Sequence, residues 1–186
     1  MTRRLLLLLM FLGFCGPAMA QQLEVDLIGG RESALPITVV PMPYQGSATP
    51  PPTDVSAVVR ADLERSGAFR TLPEARITER PTRGAEIQYP TWRTLRQDYI
   101  AVGRVVDAGE GSYRVEYELF DIAKQERMLG LAMTARSNAL RDVAHQMADA
   151  IYEKILGVRG AFWTRIAYIT AAGTGKATRY ALMVAD

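Results

Sequence analysis

The sequence predicts an α+β fold: a mixed, mostly antiparallel sheet with helices on one face. Three observations carry that prediction. Strand-length runs of apolar and polar residues alternate with period 2 between residues 99 and 135, and two stripes of helical period flank them at 55–63 and 140–155. The elements then run strands, helix, meander, helix, an order that suits helices packed against one face of a largely antiparallel sheet.

The chain of 186 residues opens with a targeting signature. Arg3 and Arg4 precede an unbroken apolar run at residues 5–12, Gly13 and Gly16-Pro17 break it, and Ala18-Met19-Ala20 supplies a small-x-small end before Gln21. This is the order of a secretory signal peptide at residues 1–20, cleaved between Ala20 and Gln21. The apolar run is far short of the ~20 residues that span a bilayer, so no membrane insertion is expected after cleavage. Bulky Phe14 stands before Cys15 where lipidation needs small residues, which argues against a lipid anchor.

In residues 23–28, apolar Leu23, Val25, Leu27 and Ile28 are interrupted by Glu24 and Asp26, a period-2 strand released by Gly29-Gly30. Residues 36–41 form a short β-branched run with proline at both edges, read as a buried strand. Residues 42–52, with Pro43 and Pro50-Pro51-Pro52, read as a loop. A helix capped by Thr53 or Asp54 follows, with Val55, Val58, Val59 and Leu63 on one face and Gly67 at its stop. Residues 69–72 suit a brief strand. Residues 73–90 lack periodicity and read as irregular or as holding one short helix, and Trp92 and Leu95 mark another. In the meander, strands at 99–106, 113–119 and 127–135 are joined by turns at 108–111 and 123–125. The longest helix is expected over 138–156, with Asn138 as N-cap, Leu140, Val143, Ala144, Met147, Ala148, Ile151 and Ile155 as its stripe, and Gly157 as its end. Strand-like runs at 164–171 and 178–184 surround a glycine-rich turn and make a hairpin that lacks an obvious partner.

Composition narrows the function. Removing Arg3 and Arg4 with the leader leaves 20 Lys+Arg to match the 20 Asp+Glu, so no basic footprint for nucleic acid remains. One Cys and one His argue against disulfide frameworks, zinc sites and a Ser-His-Asp triad, and no cofactor or metal is expected. Residues 173–178 resemble a phosphate loop only loosely: Thr170 stands where its first glycine belongs, Ala177 replaces the magnesium-binding hydroxyl, and a strand follows in place of a helix. His145 is expected to be half-exposed and paired locally with Asp142 or Asp149. Glu116 and Glu118 read as a solvated strand face, and Tyr99, Tyr113 and Tyr117 read as cross-strand packing. The strand at 23–28 is different, because a terminal strand can complete another protein's sheet through main-chain hydrogen bonds. Pairing with its own sheet is the alternative.

Several stretches together resemble the TolB family of the Tol–Pal cell-envelope system: Leu23-Glu-Val-Asp-Leu-Ile28, Ala34-Leu-Pro-Ile-Thr-Val-Val-Pro41, Ala61-Asp-Leu-Glu-Arg-Ser-Gly-Ala-Phe69, Asp98-Tyr-Ile-Ala-Val-Gly-Arg-Val105 and Ile151-Tyr-Glu-Lys-Ile-Leu-Gly-Val-Arg-Gly-Ala-Phe-Trp-Thr-Arg-Ile-Ala-Tyr168. The resemblance implies a segment 21–33 that binds the C-terminal domain of TolA or tucks back onto TolB itself, with Leu23, Glu24, Val25, Asp26, Leu27 and Ile28 as the binding strand and Gly29 and Gly30 as its hinge. It further implies an α+β domain at 34–160 and, at 161–186, the first strands of a β-propeller that is truncated here. The family's face for Pal, the peptidoglycan-associated lipoprotein, lies mainly on that propeller, so no Pal-binding residue is carried over. The resulting expectation is a periplasmic, non-enzymatic adaptor serving outer-membrane integrity and invagination during cell division. The alternative is an exported small-ligand-binding or catalytic α+β domain working through the polar face of the meander.

Overall fold

The computed structural model describes residues 33–47 and 49–185. The leader, its cleavage site at Ala20 and Gln21, the strand 23–28 and the hinge Gly29-Gly30 lie outside these residues.

The sheet is built outward from β4 (Tyr99–Gly109), an 11-residue strand that pairs antiparallel with β5 (Ser112–Asp121), which pairs antiparallel with β6 (Glu126–Arg136). On the other side of β4 the pairing is parallel: β1 (Leu35–Val39) lies between β4 and the short β3 (Phe69–Thr71), and the two-residue β2 (Tyr44–Gln45) joins further along β4. The order is β3-β1-β4-β5-β6. Glu110 (φ 51°) and Gly111 (φ 70°) make the two-residue β4–β5 turn, both left-handed, which matches the twist of the strands they join.

Helix α1 (Val55–Arg65) starts at Asp54, whose Oδ1 accepts from the Ala57 N–H at 3.0 Å, and Gly67 (φ 73°) lets the chain turn back into β3. Helix α3 (Leu140–Leu156) begins two residues later than the N-cap expected at Asn138, because residues 137–139 first form a 3₁₀ turn. Its stripe is buried as expected at Leu140, Val143, Ala144, Met147, Ala148 and Ile151. Both long helices cover the same sheet face, onto which β5 projects Tyr113, Val115, Tyr117 and Leu119.

The opposite face is covered at one end. Residues 73–90, read from sequence as irregular or holding one short helix, contain 3₁₀ turns at Glu74–Arg76 and Gly84–Glu86, and the short helix expected around Trp92 and Leu95 is α2 (Tyr89–Thr94). They place Ile77, Ile87 and fully buried Trp92 over Ile100, Val102 and Phe120, a second core. The approach is close: a Cβ on Gly84 would lie 2.1 Å from the Phe120 ring.

After α3, Asp149 accepts from the Phe162 N–H at 2.8 Å and the Trp163 N–H at 3.1 Å. Phe162 also stacks edge-on with Tyr152, fixing the loop to the helix. The chain then forms β7 (Ile166–Ala172) and β8 (Arg179–Ala185), which pair only with each other among the described residues and are exposed along their whole length.

Candidate functional site

The strand expected to bind a partner enters the described body at Ser33 and Ala34. There the chain is held at once: the Leu35 N–H donates to the Ala68 carbonyl at 2.9 Å, and β1 is flanked by parallel strands on both sides. Any pull on residues before 33 is therefore received by a central strand.

The other sequence candidates are placed as follows. His145 is buried, which corrects the expectation of a half-exposed residue paired on its own helix. Its Nδ1 lies 2.6 Å from Asp62 Oδ2, on α1 and 83 residues away, and Asp62 also accepts from Arg65 at 2.6 Å. The physical reason is the width of the α3 stripe, which turns His145 toward α1, while Asp149 is taken up by the 162–163 backbone.

Glu116 and Glu118 lie on the uncovered part of the second sheet face, as expected for a solvated strand face. Both are held in ion pairs. Glu116 is bridged by Arg104 and by Arg114 (3.0 Å), while Glu118 is bridged by Arg127 (2.9 Å) and also accepts from the Gly84 N–H at 2.9 Å. Tyr113 and Tyr117 point into the helix-covered core. Tyr113 donates to the Thr49 carbonyl at 2.8 Å and meets Tyr44 edge-on, so packing is their role. Residues 173–178 form an exposed turn leading into β8, with no helix to receive a phosphate. No cluster of three or more metal-ligating side chains occurs among the described residues. None of their helices is long and apolar enough to cross a membrane.

Two features were missed from sequence. One is the Asp62–His145 pair. The other is a cavity beside β3 into which three arginines converge. Nothing in a single sequence reports contacts between such distant positions.

The TolB amino-terminal domain model matches residues 23–128. The chain belongs to the TolB family. It is 75% identical over 169 residues to the Tol-Pal system protein TolB of Xanthomonas campestris pv. campestris (strain B100), covering 91% of this chain and 38% of that protein. It is also 75% identical over 171 residues to the same-named protein of Xanthomonas euvesicatoria pv. vesicatoria (strain 85-10), covering 91% and 39%. The crystal structure of TolB from Acinetobacter baumannii superimposes with a TM-score of 0.67 at 28% identity, over 82% of this chain and 36% of that one. The chain thus spans under two fifths of the length of these TolB relatives. The match includes residues 23–28, which the described residues leave out.

Proposed function

We propose that this chain is the amino-terminal part of a periplasmic, non-enzymatic adaptor of the Tol–Pal system. The observation that carries the reading is 75% identity across 91% of the chain to proteins named Tol-Pal system protein TolB. In this reading residues 23–28 add a strand to the C-terminal domain of TolA. Their main-chain groups supply affinity, and the alternation of Leu23, Val25 and Leu27 with Glu24 and Asp26 supplies register. Gly29 and Gly30 give the strand freedom to leave or rejoin its own protein. The body behind them is a mount: β1, held between β3 and β4, passes tension to the whole sheet through two rows of hydrogen bonds.

The downstream role is support of outer-membrane integrity and of membrane invagination at division. Pal is a further partner, and its contacts are assigned to no residue of this chain. The hairpin β7–β8 is read as the opening of a propeller. Its exposed Ile166, Ile169, Leu182 and Val184 offer the apolar surface that a neighbouring strand or blade would cover.

Binding of the full-length protein to the isolated TolA C-terminal domain tests the reading. Deleting residues 21–33 is expected to abolish binding. Val25→Pro, which removes a main-chain donor, is expected to weaken it at least about tenfold, whereas Val25→Thr retains it. Equal binding by the deletion and the parent would remove the strand from the mechanism.

A further inference from the structure

Arg70 on β3, Arg76 at the end of the first 3₁₀ turn and Arg96 after α2 come from three separate elements and line one cavity of about 590 Å³. Six arginines of the domain have an assigned acid: Arg60, Arg65, Arg80, Arg104, Arg114 and Arg127 each pair with a carboxylate. The guanidiniums of Arg70, Arg76 and Arg96 have neither hydrogen bond nor ion pair among the described residues. The one acid among the described lining residues, Glu64, already accepts from the Thr71 N–H and hydroxyl. Among the described residues, three guanidiniums against one carboxylate leave a local excess of two positive charges at an exposed rim.

The floor is apolar and fixed. Phe69 and Leu72 are buried there, and Leu95 is partly buried. Arg96 sits in the left-handed region (φ 54°), held by its neighbour. The buried Gln97 donates its side-chain N–H groups to the Leu95 carbonyl at 3.0 Å and the Arg96 carbonyl at 3.3 Å, and accepts from the Thr38 hydroxyl at 3.0 Å. The turn presenting Arg96 is therefore tied to β1, and the backbone that carries this guanidinium needs little ordering before a ligand arrives.

We propose that this cavity binds a phosphomonoester dianion carried next to an apolar group. A phosphomonoester concentrates about −1.5 to −2 charges on three strong acceptor oxygens, which matches an excess of two positive charges offered from three directions. Each guanidinium presents a planar fork suited to two such oxygens. A monocarboxylate offers two oxygens and one charge, so it satisfies only part of the arrangement. The buried Phe69 and Leu72 then receive the body of the ligand.

Titration calorimetry on the full-length protein at low ionic strength, with phenyl phosphate, inorganic phosphate and benzoate as probes, tests this. Phenyl phosphate is expected to saturate one site, at least about tenfold tighter than benzoate and measurably tighter than inorganic phosphate. Arg70→Gln, Arg76→Gln and Arg96→Gln are each expected to weaken it about tenfold, as for loss of a charge-assisted contact, while Arg80→Gln leaves it unchanged. These side chains are exposed, so the variants are expected to fold, with circular dichroism as the check. Affinity is expected to rise with pH through about 6, where the ester loses its second proton, and then to level off. Equal affinity for inorganic phosphate would assign the cavity to free phosphate. Benzoate matching phenyl phosphate, or saturation that survives the triple variant, would overturn the proposal. So would saturation by a peptide of residues 21–30 with the same arginine dependence and no response to phenyl phosphate.

Discussion

Tyr117 carries a hydroxyl into the helix-covered core, where its Oη is buried and makes no hydrogen bond. Burial pushes its phenol well above the ordinary tyrosine range. Removing an unsatisfied buried hydroxyl while keeping the ring is favourable, so Tyr117→Phe is expected to stabilise the domain by about 1 kcal/mol at neutral pH. The sign of the pH dependence follows from the raised value. As pH climbs through the unfolded tyrosine pKa of about 10, the unfolded chain loses a proton that the folded chain keeps, and ionisation then favours unfolding. The phenylalanine variant escapes this at position 117, so its advantage is expected to widen above about pH 10. Urea denaturation at neutral and alkaline pH measures both effects, and a variant less stable than the parent at neutral pH would contradict them. At this scale sequence reading succeeds for periodicity and fails for partners. Alternation identified Tyr117 as inward-facing, but helical spacing offered His145 only Asp142 and Asp149, and the true partner lies 83 residues away on another helix.

β4 and β5 show what was legible at the scale of elements. Their long alternating runs and pairing follow from period and glycine placement, as do both long helices, although the turn expected over 108–111 is the two residues Glu110 and Gly111. β2 did not emerge, because two residues between prolines carry no period and pair only through their position along β4. Residues 73–90 were read as irregular or as holding one short helix for a similar reason: 3₁₀ turns lack a recurring face, yet Ile77 and Ile87 join Trp92, on the short helix that was expected, in burying one side of the sheet. Close strand approach is likewise invisible in sequence. A Cβ on Gly103, in the middle of β4, would lie 2.4 Å from the Glu116 carbonyl oxygen and 3.1 Å from Tyr117 Cα, both backbone atoms that cannot swing aside. On the outer strand β6, a Cβ on Gly130 would meet only the Arg127 side chain, at 3.5 Å. Gly103→Ala is therefore expected to cost about 1–3 kcal/mol by overpacking, and Gly130→Ala to stay within about 0.5 kcal/mol of the parent. Chemical denaturation midpoints distinguish the two, and equal midpoints would show that β4 and β5 part more easily than the backbone geometry implies.

Across the whole molecule, two cores on opposite faces of one sheet share β4 and β5, so cooperative unfolding of residues 34–163 is the natural behaviour. The hairpin stands apart from that unit. Its strands bury nothing against the sheet, its large side chains Ile166, Ile169, Tyr180 and Leu182 are exposed, and a lone two-stranded hairpin is marginal in water. Sequence reading recognised the hairpin as unpartnered for this reason, since its strands follow the stop at Gly157–Gly160. The tether just before it belongs to the domain, because Asp149 and Tyr152 of α3 hold Phe162 and Trp163. Stability should then be divided at Thr164 and Arg165. Comparing residues 21–186 with residues 21–165 by guanidinium denaturation, read from buried Trp92, is expected to give unfolding free energies within about 0.5 kcal/mol of each other. In the same background, Asp149→Ala is expected to free the 160–163 loop and lower stability by about 1–3 kcal/mol in both lengths, since it leaves two backbone donors without their acceptor. A loss above about 1 kcal/mol on removing the hairpin alone would mean that β7 and β8 brace the α+β body.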